Sequence, residues 1–329
     1  MKKRSVGREH DGRMRIVFMG TPDFAVGALQ AIIEAGHQVA AVVTQPDKPK
    51  GRGKEVQMTP VKICALAHDI PVFQPVKIKE PEAVEVLRGY QADIFVVAAF
   101  GQILSEEILT MPRYGCVNIH ASLLPKYRGA GPIQWAIIDG EKKTGITIMQ
   151  MEKGLDTGDI LLQKEVTIEE KETGDSLHDK LAKAGAELIV EALPKIEASQ
   201  VTPRKQNDEE SCYARMLQKS MGRIDWQMAA GKLDCLIRGL ISWPGAFTTY
   251  HGRNLKIWEE EPVKKEDFDS RIQKEEPGTV LLVEKDAFYV QTGEGVLKVL
   301  AVQMEGKKRM AVKDFLLGYP MKVGECLGK

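Results

Sequence analysis

Asp93-Ile-Phe-Val-Val-Ala-Ala99 decides the fold of the chain's first half, because every residue after the aspartate is apolar. A strand of that composition has no polar face to turn to water, so it predicts burial on both sides, as in a parallel sheet covered by helices. The flanking sequence keeps the same rhythm. Arg15-Ile-Val-Phe-Met-Gly20 predicts a buried strand, followed by a helical stretch over about 23–35. Gln38-Val-Ala-Ala-Val-Val-Thr44 predicts a second strand, then a loop, then helical stretches around 60–68 and 81–89. Gly115-Cys-Val-Asn-Ile-His120 and Gly145-Ile-Thr-Ile-Met-Gln-Met151 add two more strands. Strands alternating with helices place this half in the α/β class, as a Rossmann-like, mostly parallel sheet with helices on both faces.

Further along, Leu177, Leu181, Ala184, Leu188 and Ala192 recur at helical spacing and predict one amphipathic helix over about 175–198. Residues 201–215 are polar, include Pro203, and read as a linker over the surface. Beyond them the period changes. A helix over about 228–240 precedes short β-like runs near 246–250, 255–258, 279–283, 287–291 and 297–302. Short strands separated by turn signals predict a small, OB-like β-barrel. A length of 329 residues, at about 150 per domain, agrees with two domains. The expected division is a disordered leader or alternative start at 1–13, a first domain at 14–200, the linker at 201–215 and the barrel at 216–329.

The chain carries 46 Lys+Arg and 46 Asp+Glu, so its formal net charge is zero. That argues against a protein that simply coats nucleic acid, which is usually strongly basic. With 43% hydrophobic and 28% charged residues, it also excludes a disordered or collagen-like chain. Cys64, Cys116, Cys212, Cys235 and Cys326 are odd in number and form no C-x-x-C pair, so free thiols in a reducing cytoplasm are expected. The basic start lacks the apolar run of a secretory signal. No run of about 18 apolar residues predicts a membrane span.

Two features follow the first two strands. Gly20-Thr-Pro-Asp-Phe-Ala25 stands where a dinucleotide fingerprint would begin, yet G-x-G-x-x-G is absent. The second strand ends in Thr44-Gln-Pro-Asp47 rather than in the ribose-binding acid, which argues against a nicotinamide dehydrogenase. Next comes Gln45-Pro-Asp-Lys-Pro-Lys-Gly-Arg-Gly-Lys54, where Lys48, Lys50, Arg52 and Lys54 oppose only Asp47. It does not match a P-loop. Two readings stand: a basic loop that orders against phosphates, or a solvated charged loop.

The densest stretch is Asn118-Ile-His120-Ala-Ser122-Leu-Leu-Pro125-Lys-Tyr-Arg128-Gly-Ala-Gly-Pro132. Side chains alternate along a strand, so Asn118 and His120 emerge on one face at its carboxyl end, where open parallel sheets place ligands. An amide donor beside an imidazole can polarise a carbonyl and move a proton. Downstream, Gly154-Leu-Asp156-Thr-Gly158-Asp159 presents a carboxylate between glycines, suited to orienting a histidine. No serine or cysteine sits in a nucleophile elbow, which favours direct transfer. His10, His37, His68, His178 and His251 show no ligand spacing, and no metal is expected.

At N-I-H-x-S-L-L-P-x-Y-R-G with the downstream G-L-D-T-G-D, the sequence resembles the formyltetrahydrofolate-dependent formyltransferases. The resemblance implies 10-formyltetrahydrofolate as co-substrate and a catalytic triad of Asn118, His120 and Asp156. It implies that Ser122, Leu123, Leu124 and Pro125 line the folate site, and that Phe100, Gly101, Gln102, Ile103 and Leu104 help hold the pterin through backbone groups.

Within that family, Gly20-Thr-Pro-Asp-Phe-Ala25, the inserted basic loop, Ile224-Asp-Trp226 and Trp243-Pro244 resemble the branch whose acceptor is methionine esterified to initiator tRNA. This implies that Lys48, Lys50, Arg52 and Lys54 contact tRNA, and that the second domain grips the acceptor arm. Asn118 and a protonated His120 are expected to stabilise the formyl oxygen as it gains negative charge, with Asp156 orienting His120 and taking the amine's proton directly or through water. A formyltetrahydrofolate hydrolase, an amino-sugar-nucleotide formyltransferase and an RNA-binding module with an idle folate site are the alternatives. Nothing in the sequence demands more than a monomer. Residues 208–329 hold 19 basic and 19 acidic side chains, so a grip on tRNA must come from local clusters, the basic loop and Lys307-Lys308-Arg309 among them.

Overall fold

A computed structural model describes residues 12–50, 55–263 and 274–329 of the chain. The expected leader falls almost wholly on residues 1–11, outside the described residues. Two compact units divide the rest. One holds the chain up to Gly129 with Thr144–Thr167 and His178–Tyr213; the other holds Ala130–Lys143, Ile168–Leu177 and Ala214–Lys329.

In chain order, the first half runs β1 (Arg15–Gly20), α1 (Val26–Glu34), β2 (Gln38–Val43), β3 (Lys48–Lys50), β4 (Glu55–Gln57), α2 (Pro60–Ala67) and β5 (Val72–Phe73). It continues with α3 (Pro81–Gly89), β6 (Ile94–Ala98), α4 (Glu106–Leu109), β7 (Cys116–His120), β8 (Arg128–Gly129) and α5 (Pro132–Ile138). Then come β9 (Lys143–Gln150), β10 (Ile160–Thr167) and α6 (Gly174–Glu197).

Seven strands form the sheet of the first unit, in the order β10-β9-β7-β6-β1-β2-β5. The pairings of β1 with β2 and β6, of β2 with β5 and of β6 with β7 are parallel. β9 runs antiparallel to β7, with His120 opposite Thr147. The mostly parallel, Rossmann-like sheet is therefore present, with the antiparallel strand β9 on one side. All five residues of β6 are buried, as its composition requires. Alternation assigns the two faces: Val17, Met19, Ala41, Val43, Phe95 and Val97 share one apolar cluster with Val84 and Leu87 of α3. Burial of one such large side chain stabilises the fold by about 1.5–3 kcal/mol. The helices have local reasons to begin where they do. Thr59 caps α2 by accepting the Lys62 N–H at 3.1 Å, with Pro60 in the first turn. β10 escaped sequence reading because its second half is partly exposed, as on an edge, and shows no sustained apolar run.

The second half carries β11 (Tyr213–Ala214), α7 (Ala230–Gly239), β12 (Ala246–Tyr250), β13 (Arg253–Val263), β14 (Val280–Val283) and β15 (Phe288–Gln291). It ends with β16 (Val296–Met304), β17 (Met310–Ala311) and α8 (Val312–Gly318). The second unit is built on an antiparallel sheet in the order β12-β13-β16-β15-β14, with β17 added to β16. Its core gathers Leu233 and Ile237 of α7, Phe315 of α8, and Leu255, Phe288, Leu297 and Val299 of the strands. Ile138 of α5 packs against this core. On β13 the register slips on both sides of Glu259, a bulge that re-aims the neighbouring side chains.

Candidate active site

The chain leaves β1 toward β2 and β5 on one side, then returns to build β6 and β7 on the other. Ligands of open α/β sheets bind outside the carboxyl ends of the strands at such a switch point. Gly20 ends β1 there, and no side chain fits: an added Cβ would stand 2.8 Å from the Ala25 Cβ and 2.9 Å from the Ala98 carbonyl oxygen. Thr21 follows. Its Oγ1 donates to the Phe100 carbonyl at 2.9 Å and accepts the Gln45 N–H at 3.3 Å. Gln45 Nε2 donates to the same carbonyl at 3.2 Å. Gln102 accepts the Ile78 N–H at 2.7 Å and donates to the Pro75 carbonyl at 3.0 Å.

Three sequence features thus converge, the turn after β1, the start of the Gln45 loop and the stretch after β6. Phe100 and Leu104 are buried, Gly101 adopts φ +87°, and Ile103 is 84% exposed. The main-chain groups of 101–104 make no hydrogen bond within the protein among the described residues. A pre-built row of free donors and acceptors suits the polar edge of a heterocycle.

Asp47, the lone acid of the loop, is turned inward to Lys62 Nζ at 2.5 Å and Gln74 Nε2 at 2.7 Å. The Lys62 bond first, then the Gln74 bond, hold its carboxyl below the usual carboxylate range. Lys48 is exposed, and its strand β3 pairs antiparallel with β4. The Lys50 side chain, Arg52 and Lys54 lie outside the described residues.

β7 delivers His120 buried and Asn118 half-buried, two positions apart on one face. His120 Nε2 donates to the Tyr127 carbonyl at 2.8 Å; because a carbonyl only accepts, this nitrogen carries the proton. Nδ1 then faces Asp156 Oδ2 at 3.7 Å. The same Oδ2 accepts the Gly129 N–H at 2.8 Å. Residues 127–129 therefore hold both members of the pair. Asn118 is free of side-chain hydrogen bonds among the described residues, leaving its carboxamide available to a ligand. Asp156, Tyr127 and Ala99 all adopt positive φ, of +52°, +59° and +47°. Backbone strain of this kind costs about 1–3 kcal/mol per residue and gathers at functional sites. Gly158 lets the Asp156 loop close in, since a Cβ there would lie 1.7 Å from the Gln150 carbonyl oxygen.

The turn after β7 is knotted from within. Ser122 Oγ donates to the Lys126 carbonyl at 2.6 Å. Thr147 Oγ1 donates to the Ser122 carbonyl at 2.7 Å and accepts the Leu124 N–H at 3.1 Å. Gln163 Nε2 donates to the Leu124 carbonyl at 2.9 Å. Ser122 and Leu124 are buried, while Leu123 and Pro125 are half-buried. Sequence reading missed Thr21, Gln45, Thr147 and Tyr127 as parts of the site. They act through main-chain carbonyls, which no residue pattern announces.

Residues 14–193 match the formyl transferase family, and residues 216–320 match the formyl transferase C-terminal domain. The chain is 55% identical over 318 residues to a methionyl-tRNA formyltransferase of Lachnospira eligens, covering 96% of this chain and 100% of that one. A methionyl-tRNA formyltransferase of Agathobacter rectalis is 53% identical, covering 94% and 98%. Among solved structures, HypX from Aquifex aeolicus in complex with tetrahydrofolic acid superposes with a TM-score of 0.63 at 18% identity, over 95% of this chain and 48% of that one. That last likeness concerns the fold alone.

Proposed function

The chain belongs to the formyl transferase family, and on that premise we propose that it transfers a formyl group from 10-formyltetrahydrofolate to the α-amine of methionine esterified to initiator tRNA, giving formylmethionyl-tRNA. The observation that carries the choice of acceptor is the 55% identity over 96% of the chain to a relative of that activity. A hydrolase or an amino-sugar-nucleotide formyltransferase is not favoured.

The formylfolate supplies the one-carbon unit, and the free main-chain row at 101–104 suits its pterin edge. Ser122, Leu123, Leu124 and Pro125, braced by Thr147 and Gln163, form the wall beside it. Negative charge grows on the formyl oxygen during attack. Asn118, whose carboxamide takes no protein partner among the described residues, donates to that oxygen, a contribution of about 3–4 kcal/mol by comparison with other oxyanion donors.

His120 has both ring nitrogens turned to protein groups, so it orients Asp156 and the turn after β7 rather than serving as a second direct donor to the formyl oxygen. The acceptor amine must shed a proton as it takes the formyl group, and Asp156 receives it through the carboxylate oxygen that Gly129 leaves free. The bond from the formyl carbon to the folate N10 then breaks, and the proton passes to N10, so tetrahydrofolate leaves neutral at that nitrogen. Lys48, Lys50, Arg52 and Lys54 bind the tRNA backbone through the inserted loop.

The test is formyl transfer by the purified chain with formylfolate and, in parallel, charged initiator methionyl-tRNA, an amino-sugar nucleotide, or no acceptor. Formylmethionyl-tRNA as the product supports the assignment. Formate released at the same rate without acceptor, or formylation of the sugar alone, overturns it.

A further inference from the structure

Residues 201–215 read as a linker, yet Gln206 reaches out of this segment into the loop that carries Asp156. Its Nε2 donates to the Asp156 carbonyl at 2.8 Å and to the Gly158 carbonyl at 2.7 Å. Its Oε1 accepts Arg128 Nε at 3.0 Å. Arg128 is held in turn: its Nη2 meets Asp208 at 2.7 Å, and its N–H donates to the Cys212 carbonyl at 2.9 Å. Arg128 stands between Tyr127, whose carbonyl accepts the His120 hydrogen bond, and Gly129, whose N–H donates to the Asp156 carboxylate. A carboxamide has two N–H donors in one plane, and here both fasten the backbone on either side of Thr157. The segment itself is anchored by Arg204, which exchanges both main-chain hydrogen bonds with Ile160.

Asp156 holds φ +52°, a conformation that persists only where the surroundings impose it. No hydrogen bond in its own loop does so as directly as the Gln206 carboxamide. We propose that Gln206 is a positioning residue for formyl transfer: it fixes the Asp156 backbone so that the carboxylate stays between the Gly129 N–H and His120 Nδ1. The proposal rests on the role given above to Asp156. A displacement of about 1 Å at a reacting group can cost about 100-fold in rate. Thr157 Oγ1 to Glu152 at 2.8 Å is a tie within the loop itself, and Gly129 holds the Asp156 carboxylate rather than its backbone.

The test compares Gln206→Ala, Gln206→Glu and Asp156→Ala, singly and as Gln206→Ala/Asp156→Ala, by single-turnover transfer at saturating charged tRNA. Thermal unfolding is recorded for each variant. Gln206→Ala is expected to lower the transfer rate by about 100-fold, with both KM values within about threefold of wild type. In the Asp156→Ala background the same substitution is expected to cost nothing further, because its effect passes through that carboxylate.

Gln206→Glu keeps the size but, once ionised, loses both donors. Beside the Arg128 guanidinium that carboxyl is ionised at neutral pH, so the variant's transfer rate is expected to fall to about the level of Gln206→Ala. The double-mutant comparison distinguishes positioning from a general loss of stability, and Gln206→Glu, which keeps the size and the Arg128 contact, serves even where the alanine variant folds poorly. A wild-type rate in Gln206→Ala or in Gln206→Glu, or a loss that multiplies with that of Asp156→Ala, overturns the proposal. A near-normal rate in Asp156→Ala alone overturns instead the catalytic role on which the proposal rests.

Discussion

His120 donates its Nε2 proton to the carbonyl of Tyr127 across 2.8 Å, and this bond sets which ring nitrogen meets Asp156. The tautomer is dictated by a main-chain acceptor seven residues away, held by a residue at φ +59°. Imidazole chemistry at this site therefore depends on the shape of the turn after β7 as much as on the histidine itself.

Replacing either member of the pair should separate chemistry from binding. His120→Ala and Asp156→Ala are expected to lower the single-turnover rate by about 100–10,000-fold, the range of general acid–base contributions. Charged-tRNA affinity, measured by filter binding, should stay near wild type. Near-normal turnover in either variant contradicts the assigned roles.

Asn118→Ala removes a donor that has no protein partner among the described residues, so stability should change little. Its kcat is expected to drop by about 100–1,000-fold, as when other oxyanion donors are lost. A rise in KM alone, at unchanged kcat, would assign Asn118 to ground-state binding.

Thr21→Val keeps the shape and removes the hydroxyl that joins Phe100 to Gln45. The Phe100 carbonyl still has Gln45, so the expected loss is about 1 kcal/mol in denaturant unfolding. The KM for formylfolate should rise because residues 101–104 lose part of their frame. An unchanged KM separates this turn from the folate site.

Arg52→Ala and Lys54→Ala act on the basic stretch that follows β3 in sequence. Each should weaken tRNA-dependent transfer and reduce the slope of log affinity against log salt by about 0.7–0.9. A salt slope identical to wild type removes the loop from the tRNA contact.

Glu260, beside the bulge on β13, is mostly buried, and burial first, then the charge of Asp234, push its carboxyl up to about 8. Its value in the folded chain thus lies above the ordinary 4.5, so folded protein holds a proton that unfolded chain releases. This contribution is complete below about 4.5 and is lost as pH rises through about 8. Denaturant unfolding should show wild type losing stability across that window and Glu260→Gln changing less. Parallel pH dependence in the two proteins contradicts the buried, protonated state.

Much of this molecule was legible from its residues alone. The apolar run at 94–98, the period-two strands around it and the spacing of Leu181 and Leu188 are local, and burial of those side chains follows from their own pattern. The strand placing Asn118 and His120 on one face is likewise local, because alternation is a property of any strand. The motif around them sufficed to indicate the family. β10 was not visible, since an edge strand with mixed polarity leaves no apolar period.

What the tertiary structure alone decided is how the site is held. Asp47, read as the one acid in a basic loop, belongs to Lys62 and Gln74. Both nitrogens of His120 are committed to protein groups, which leaves Asn118 as the free donor. Gln206, in a stretch whose polarity suggests only a surface tether, binds the backbone of a loop 50 residues earlier. The physical reason is common to all three. Side chains that bond to distant carbonyls, carboxylates or ring nitrogens need no particular neighbours in sequence, so only the folded chain shows which partner each one meets.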